Sequence, residues 1–308
     1  MATKYVPSSA QGAPPARLQE RVQELLGQPV VDWRRPDTGL SPALRYLVTL
    51  ADRSLAFVKA ATSLETTGWL RNEHAAMQYV PQFAPATLAW SDSGGDHPLL
   101  ICEALTGHWP ASHAGVVWRP GDLDRVMDAL QRLAAIDPPA HLETRQPEAT
   151  FGWSRIREQP GAFLALGLCS GSWLDAHGTA LLQAEESLRR DGSTFVHGDM
   201  RSDNICLTGT GPRFVDWSRA GAGAAGTDLA SFLPATHLEG GPPPFELAPD
   251  AFTWGAAQAA ELIARLSDGD ELPPWLRRVL RRLAAINLDW AVAGMHLPRR
   301  DGPSWAEM

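Results

Sequence analysis

Late in the chain, the run Phe195-Val196-His197-Gly198-Asp199-Met200-Arg201-Ser202-Asp203-Asn204-Ile205-Cys206-Leu207 is followed by Phe214-Val215-Asp216-Trp217. Both are islands of β-forming residues in a half of the chain that otherwise reads as helical. Leu123, Val126, Met127, Leu130, Leu133 and Ala134 recur at helical spacing before them, and similar patterns over 252–266 and 276–294 follow. A strand over 194–197, a polar loop and a hairpin (205–207 with 213–215) must therefore sit among helices. The turn from Thr208 to Pro212 brings Asp216 back beside Asn204.

The front of the chain has a different texture. Residues 1–15 are rich in Ala, Pro, Ser and Gly and read as a flexible tail. A short helix is expected next, with Leu18, Val22, Leu25 and Leu26 on one face and Gly27 as its stop. Runs over 45–50 and 55–59 flank a turn at 51–54. A helix over 69–80 ends at Pro81, and two more strands cover 87–90 and 99–103. The texture changes after Thr106-Gly107. The expected architecture is α+β and bilobal: a small β-rich lobe with one main helix (16–105), a hinge near Cys102, and a larger, mostly helical lobe (106–308). Further helices are expected over 179–190 and 229–233, and Gly240 to Pro249 as a connecting loop.

Bulk properties narrow the class. A chain of 308 residues, 44% apolar, can bury a large core. A net charge of −8 argues against a nucleic-acid partner and mildly favours a cationic ligand. Cys102, Cys169 and Cys206 have no metal-site or disulfide spacing, so they read as buried thiols in a reducing, cytoplasmic setting. No apolar run is long enough to span a bilayer, so no membrane partner is expected. A monomer or weak dimer is the expected state.

The residue types in the island point to phosphoryl transfer. There the protein mostly positions reactants and offsets charge. Asp199, on a short loop after an apolar strand, can accept a proton from a hydroxyl. Asn204, five residues on, and Asp216, at the end of the hairpin, offer the hard oxygens that Mg2+ prefers on nucleotide phosphates. His197 and Gly198 are read as shaping the loop. Asp and Asn that merely cap turns would not require the whole H-G-D-x-x-x-x-N pattern with a hairpin and Asp-Trp behind it.

HGDMRSDN with VDW resembles the aminoglycoside phosphotransferase and choline kinase-like family, whose fold is similar to that of protein kinases. The resemblance extends over roughly 28–290, with the catalytic segment its diagnostic part. It implies Asp199 as the catalytic residue and Asn204 and Asp216 as metal ligands, with ATP and Mg2+ as cofactors. It further implies that Lys59, ending the apolar strand at 56–60, contacts the nucleotide phosphates, and that Glu73 in the following helix pairs with it. Cys102 to Leu105 would form the hinge, with Glu103 and Leu105 at the adenine edge. The phosphate-covering loop falls at 37–41, where Gly39 and Ser41 stand without a GxGxxG pattern. Arg201 stands where the family often has His, and is read as bracing the loop.

Thr227-Asp228-Leu229-Ala230 resembles the family's Asp-Leu-Ala element, and a helix-capping role is expected for Thr227 or Asp228. The 221–226 stretch has no Ala-Pro-Glu ending, unlike a protein kinase activation segment. Trp254, Trp275 and Trp290 are read chiefly as core, and the pairs Arg277-Arg278 and Arg281-Arg282 as a solvated basic face. Glu239, Glu246, Glu261 and Asp289 are candidates to hold a cationic acceptor.

The expected activity is transfer of the ATP γ-phosphate to a hydroxyl of a small molecule, foremost an aminoglycoside or other antibiotic. A metabolic kinase of an amino alcohol, amino acid or sugar is the enzymatic alternative. A pseudokinase acting as a binding module is the non-enzymatic one.

Overall fold

The computed structural model describes residues 13–36, 42–93, 97–112, 115–142, 152–267 and 272–308. The chain divides into two compact units, the first made of 1–143, 197–199 and 203–221, the second of 144–196, 200–202 and 222–308.

The first unit opens with α1 (Ala16–Leu26), β1 (Val30–Arg34), β2 (Leu44–Leu50), β3 (Leu55–Ala60), α2 (Leu64–Tyr79), β4 (Thr87–Ser91) and β5 (Leu99–Glu103). The five strands form one antiparallel sheet in the order β1-β2-β3-β5-β4. β1, a short run with Val30, Val31 and Trp33 between Pro29 and Pro36, lies outside the expected strands and pairs with the β2 edge, Trp33 with Val48 and Arg34 with Leu47. Period-two burial sends Tyr46, Val48 and Leu50 of β2 and Ala56, Val58 and Ala60 of β3 to one face, against Leu18 and Val22 of α1. Eleven residues make a marginal helix alone, and burying these two side chains contributes about 1.5–3 kcal/mol each towards holding it. Leu25 was expected on that face but is exposed.

α2 begins at Leu64, five residues before the expected start. Ser63 accepts the Thr66 N–H, and the Thr66 hydroxyl accepts the Ser63 N–H, so the first turn is capped from both sides. After β5 come the small pair β6 (Ala111–Ser112) and β7 (Gly115–Val116), then α3 (Asp122–Ala134).

The second unit carries α4 (Gly152–Glu158), α5 (Gly161–Leu164), α6 (Gly171–Ser187) and β8 (Thr194–Val196). The chain then passes through the first unit as β9 (Ile205–Thr208) and β10 (Gly211–Phe214), and β11 (Gly221–Gly223) leads back to pair with β8. It returns with α7 (Thr227–Leu238), α8 (Pro244–Leu247), α9 (Phe252–Ser267) and α10 (Pro274–Gly294). The core of this unit sets Trp153, Phe163, Leu174 and Leu181 against Ala256, Ala259 and Ala260 of α9 and Ala284, Ala285 and Ala291 of α10. Buried Glu185 of α6 accepts the N–H groups of Gly152 and Trp153, the orphan donors that open α4.

Several expectations change here. The segment 240–249 is more than a loop, because Pro243 and Pro244 preset the backbone that starts α8, and a 3-10 turn follows at Pro249–Ala251. The helix expected at 179–190 is α6, started eight residues earlier by the Ser170 cap. The N-cap position of α7 falls just before Thr227 and Asp228. Gly226 takes that position at φ 94°, where a Cβ would come within 2.7 Å of Trp254 Nε1. The basic face of α10 is not simply solvated, since Arg277, Arg281 and Arg282 donate to the carbonyls of Leu266, Leu166 and Met308. Trp254 and Trp290 are core, as expected, whereas Trp275 is exposed.

Candidate active site

The catalytic segment is held by its backbone. His197 is fully buried, its Nδ1 accepting the Asp199 N–H at 3.3 Å. That contact leaves the proton on Nε2, which donates to Val215 O at 3.0 Å. The imidazole thus ties the loop carrying Asp199 to the strand end carrying Asp216, and packs on buried Trp217 with ring centroids 4.5 Å apart. Gly198 is required at this bend. Its φ is 78°, and a Cβ there would lie 2.4 Å from Arg219 O.

Asn204 is buried, and its Nδ2 donates to Asp199 O at 2.9 Å. This fixes the amide orientation and leaves the oxygen as the end that can meet a cation. The hairpin completes the arrangement: β9 and β10 pair from Ile205↔Phe214 to Thr208↔Gly211, and Val215 N–H donates to Asn204 O at 2.9 Å. Asp216 comes next, in the left-handed region at φ 66°, ψ 56°. Asp tolerates that conformation better than most side chains, and such strain gathers at functional positions.

Lys59 and Glu73 meet as expected, with Nζ to Oε1 at 2.6 Å, and Asp216 Oδ1 lies 3.6 Å from the same ammonium. Burial alone would lower the Lys59 pKa, but the charges of Glu73 and Asp216 outweigh it and raise it above the ordinary value. For Glu73, burial raises the pKa against the pull of Lys59. The two directions oppose each other, because a raised carboxyl weakens the pair that a raised ammonium strengthens. The short contact and the Trp217 N–H donated to Glu73 favour the charged pair.

Two participants went unread in the sequence. Asn72, next to Glu73 on α2, donates to Ser218 O at 3.1 Å and Ala220 O at 2.8 Å, stitching the helix to the turn after Asp216. Arg45 stands opposite Lys59 in the β2–β3 ladder. Burial pulls its guanidinium below the ordinary value, Asp216 and Glu73 pull it up, and Arg35 pushes it down. No motif marks Asn72, and counting outwards from a turn at 51–54 would set Arg45 against Ala60; the observed register is shifted by one, with Thr49 opposite Leu55 and Arg45 opposite Lys59.

The remaining expected residues are more dispersed. Glu103 ends β5, and its carboxylate accepts the Ala86 N–H at 3.0 Å. Leu105 is half-buried just beyond it. Ser41 and Gly39 lie outside the described residues. Among the acceptor candidates, Glu239 accepts the Ser202 hydroxyl, Asp289 is paired with Arg300 at 2.7 Å and 2.9 Å, and Glu261 is exposed on α9. Glu246 and Asp289 line a cavity of about 460 Å3 in the second unit, with Phe245, Trp290, Trp305 and Arg299 among its other walls. Among the described residues no group of three or more His, Cys, Asp and Glu could hold a metal ion; the oxygens of Asn204 and Asp216 are of the hard type that magnesium prefers. No described helix is long and apolar enough to cross a membrane.

The model of the phosphotransferase enzyme family matches residues 32–283. A search of curated proteins returns no match. Among solved structures, the chain is similar to a spectinomycin phosphotransferase in complex with ADP and spectinomycin, at 12% identity and TM-score 0.62, covering 93% of this chain and 100% of that one. It is also similar to the GDP complex of a mutant aminoglycoside 2'-phosphotransferase, at 12% identity and TM-score 0.58 over 92% and 95%. A protein described as a fructosamine-3-kinase from Thermobifida fusca YX-ER1 matches at 19% identity and TM-score 0.52, over 90% and 99%. The fold is that of the kinase-like phosphotransferases, with a five-stranded antiparallel sheet in the N-terminal part and a mostly helical C-terminal part.

Proposed function

The chain belongs to the phosphotransferase enzyme family, and from that premise we propose an ATP- and magnesium-dependent kinase that transfers the γ-phosphate to a hydroxyl of a small molecule. The observation that carries this reading is the buried Lys59 ammonium held between Glu73 and Asp216. Desolvating a lysine is costly, and a phosphate site gains from a cation whose position is fixed before the nucleotide arrives. Lys59 then contacts the phosphates, and Glu73 holds the ammonium in place. Asp199 accepts or orients the proton of the attacking hydroxyl. Asn204 and Asp216 would hold magnesium, which when bound neutralises charge on the phosphates. The same proposal includes a nucleotide-binding lobe over 16–105, a catalytic and acceptor lobe over 106–308, Glu103 and Leu105 at the adenine edge, and Ser41 at the phosphates. The three buried free thiols suit a reducing, cytoplasmic setting.

The acceptor's place in this reading is the cavity of the second unit. Glu246 and Asp289 with three aromatic walls suit an amine-bearing aminoglycoside or other antibiotic. One observation favours the second reading, a metabolic amino alcohol, amino acid or sugar. Arg300 already neutralises Asp289, and Arg299 adds a positive wall, so the cavity is less acidic than a polycation would need.

The test is ATP turnover over aminoglycosides, peptide antibiotics, choline, homoserine and sugars, with Asp199→Ala beside the unaltered chain. A loss of at least about 100-fold in kcat with circular dichroism unchanged is expected. Undiminished turnover in Asp199→Ala would overturn the assignment.

A further inference from the structure

A second cation shares the Lys59 face of the sheet. Arg45 and Lys59 are direct partners in the β2–β3 ladder, and opposed residues of an antiparallel pair project from the same face. That face is opposite the apolar layer of Tyr46, Val48, Leu50, Ala56, Val58 and Ala60. It is also where Lys59 meets Glu73 and Asp216. The Arg45 guanidinium lies within electrostatic reach of Asp216, Glu73 and Arg35. A guanidinium and an ammonium therefore share one face with two carboxylates, of which Glu73 is paired with Lys59 and Asp216 is the expected magnesium ligand. Setting a guanidinium beside an ammonium costs electrostatic energy that a bound polyanion would offset.

Position along the chain points the same way. In sequence, Arg35 and Arg45 bracket the stretch 37–41, where the phosphate-covering loop is expected and which has one glycine and no GxGxxG pattern. Glycines let backbone N–H groups approach phosphate closely. A guanidinium can replace two such donors with a single planar fork.

We propose that Arg45 is a phosphate-binding residue of the nucleotide site, its guanidinium engaging the terminal phosphate oxygens beside Lys59 where loop amides would otherwise serve. This rests on the kinase reading above.

Binding of ADP and of adenosine, each with magnesium, to the full-length chain and to Arg45→Ala, Arg45→Gln and Arg45→Lys tests it. Arg45→Ala and Arg45→Gln should weaken ADP about tenfold or more while adenosine binding holds, and Arg45→Lys should recover part of the loss. ADP affinity within about twofold of the unaltered chain overturns the assignment. So does an equal loss for adenosine, the mark of a purely structural arginine. If Arg45→Ala fails to fold, the uncharged polar Arg45→Gln and the charge-keeping Arg45→Lys give the same comparison. Failure of the unaltered chain to bind ADP would remove the kinase reading itself, a result distinguishable from any change confined to the Arg45 variants.

Discussion

At Lys59 the consequences of removing a partner can be worked out in sign and size. Its side chain is 13% exposed and that of Glu73 5%, so the pair is effectively desolvated. Breaking a buried pair from one side commonly costs about 3–5 kcal/mol. Asp216 remains near the ammonium and softens the loss, so Glu73→Ala should destabilise the protein by about 2–3 kcal/mol, read from urea unfolding. The lysine itself adds little slope to stability near neutrality. Its folded pKa is raised above the free value of about 10.4, so its contribution is complete below that value and is lost only at strongly alkaline pH.

At the scale of elements, α2 and the turn after Asp216 behave as one piece. Asn72 donates twice across the junction, and Glu73 accepts the Trp217 N–H. Asn72→Ala should cost about 1–2 kcal/mol and speed amide exchange at Trp217 and Ala220 more than elsewhere, as hydrogen-exchange mass spectrometry would report. The hairpin around Asp216 and the strands around Lys59 could be read beforehand because alternation and turn residues are local signals. The stitching by Asn72 could not, since its carbonyl partners lie 146 and 148 residues away. β1 escaped for another reason, as its five residues, between Pro29 and Pro36, read as a connecting stretch although Val30, Val31 and Trp33 favour a strand. α8 was missed because a proline run reads as a loop until its third proline, Pro244, opens a helical turn.

For the whole molecule, the thiols report on the two compact units separately. Cys102 and Cys206 belong to the first unit and Cys169 to the second, and all three are buried. Burial pushes Cys102 and Cys169 up to about 12 and Cys206 up to about 11. At pH 8 the folded chain should therefore resist a disulfide-exchange reagent, all three thiols should react after unfolding, and the order of labelling in intermediate urea should show which unit opens first. The composition that isolates Lys59 has one more result. Twenty-five of the 27 basic residues are arginine, and Lys4 is the sole other lysine. Amine-directed chemistry beyond the first few residues thus has a single address, the ammonium clasped by Glu73. A lysine-specific protease meets its one interior cleavage site inside a paired strand, and its first internal cut would time the opening of β3.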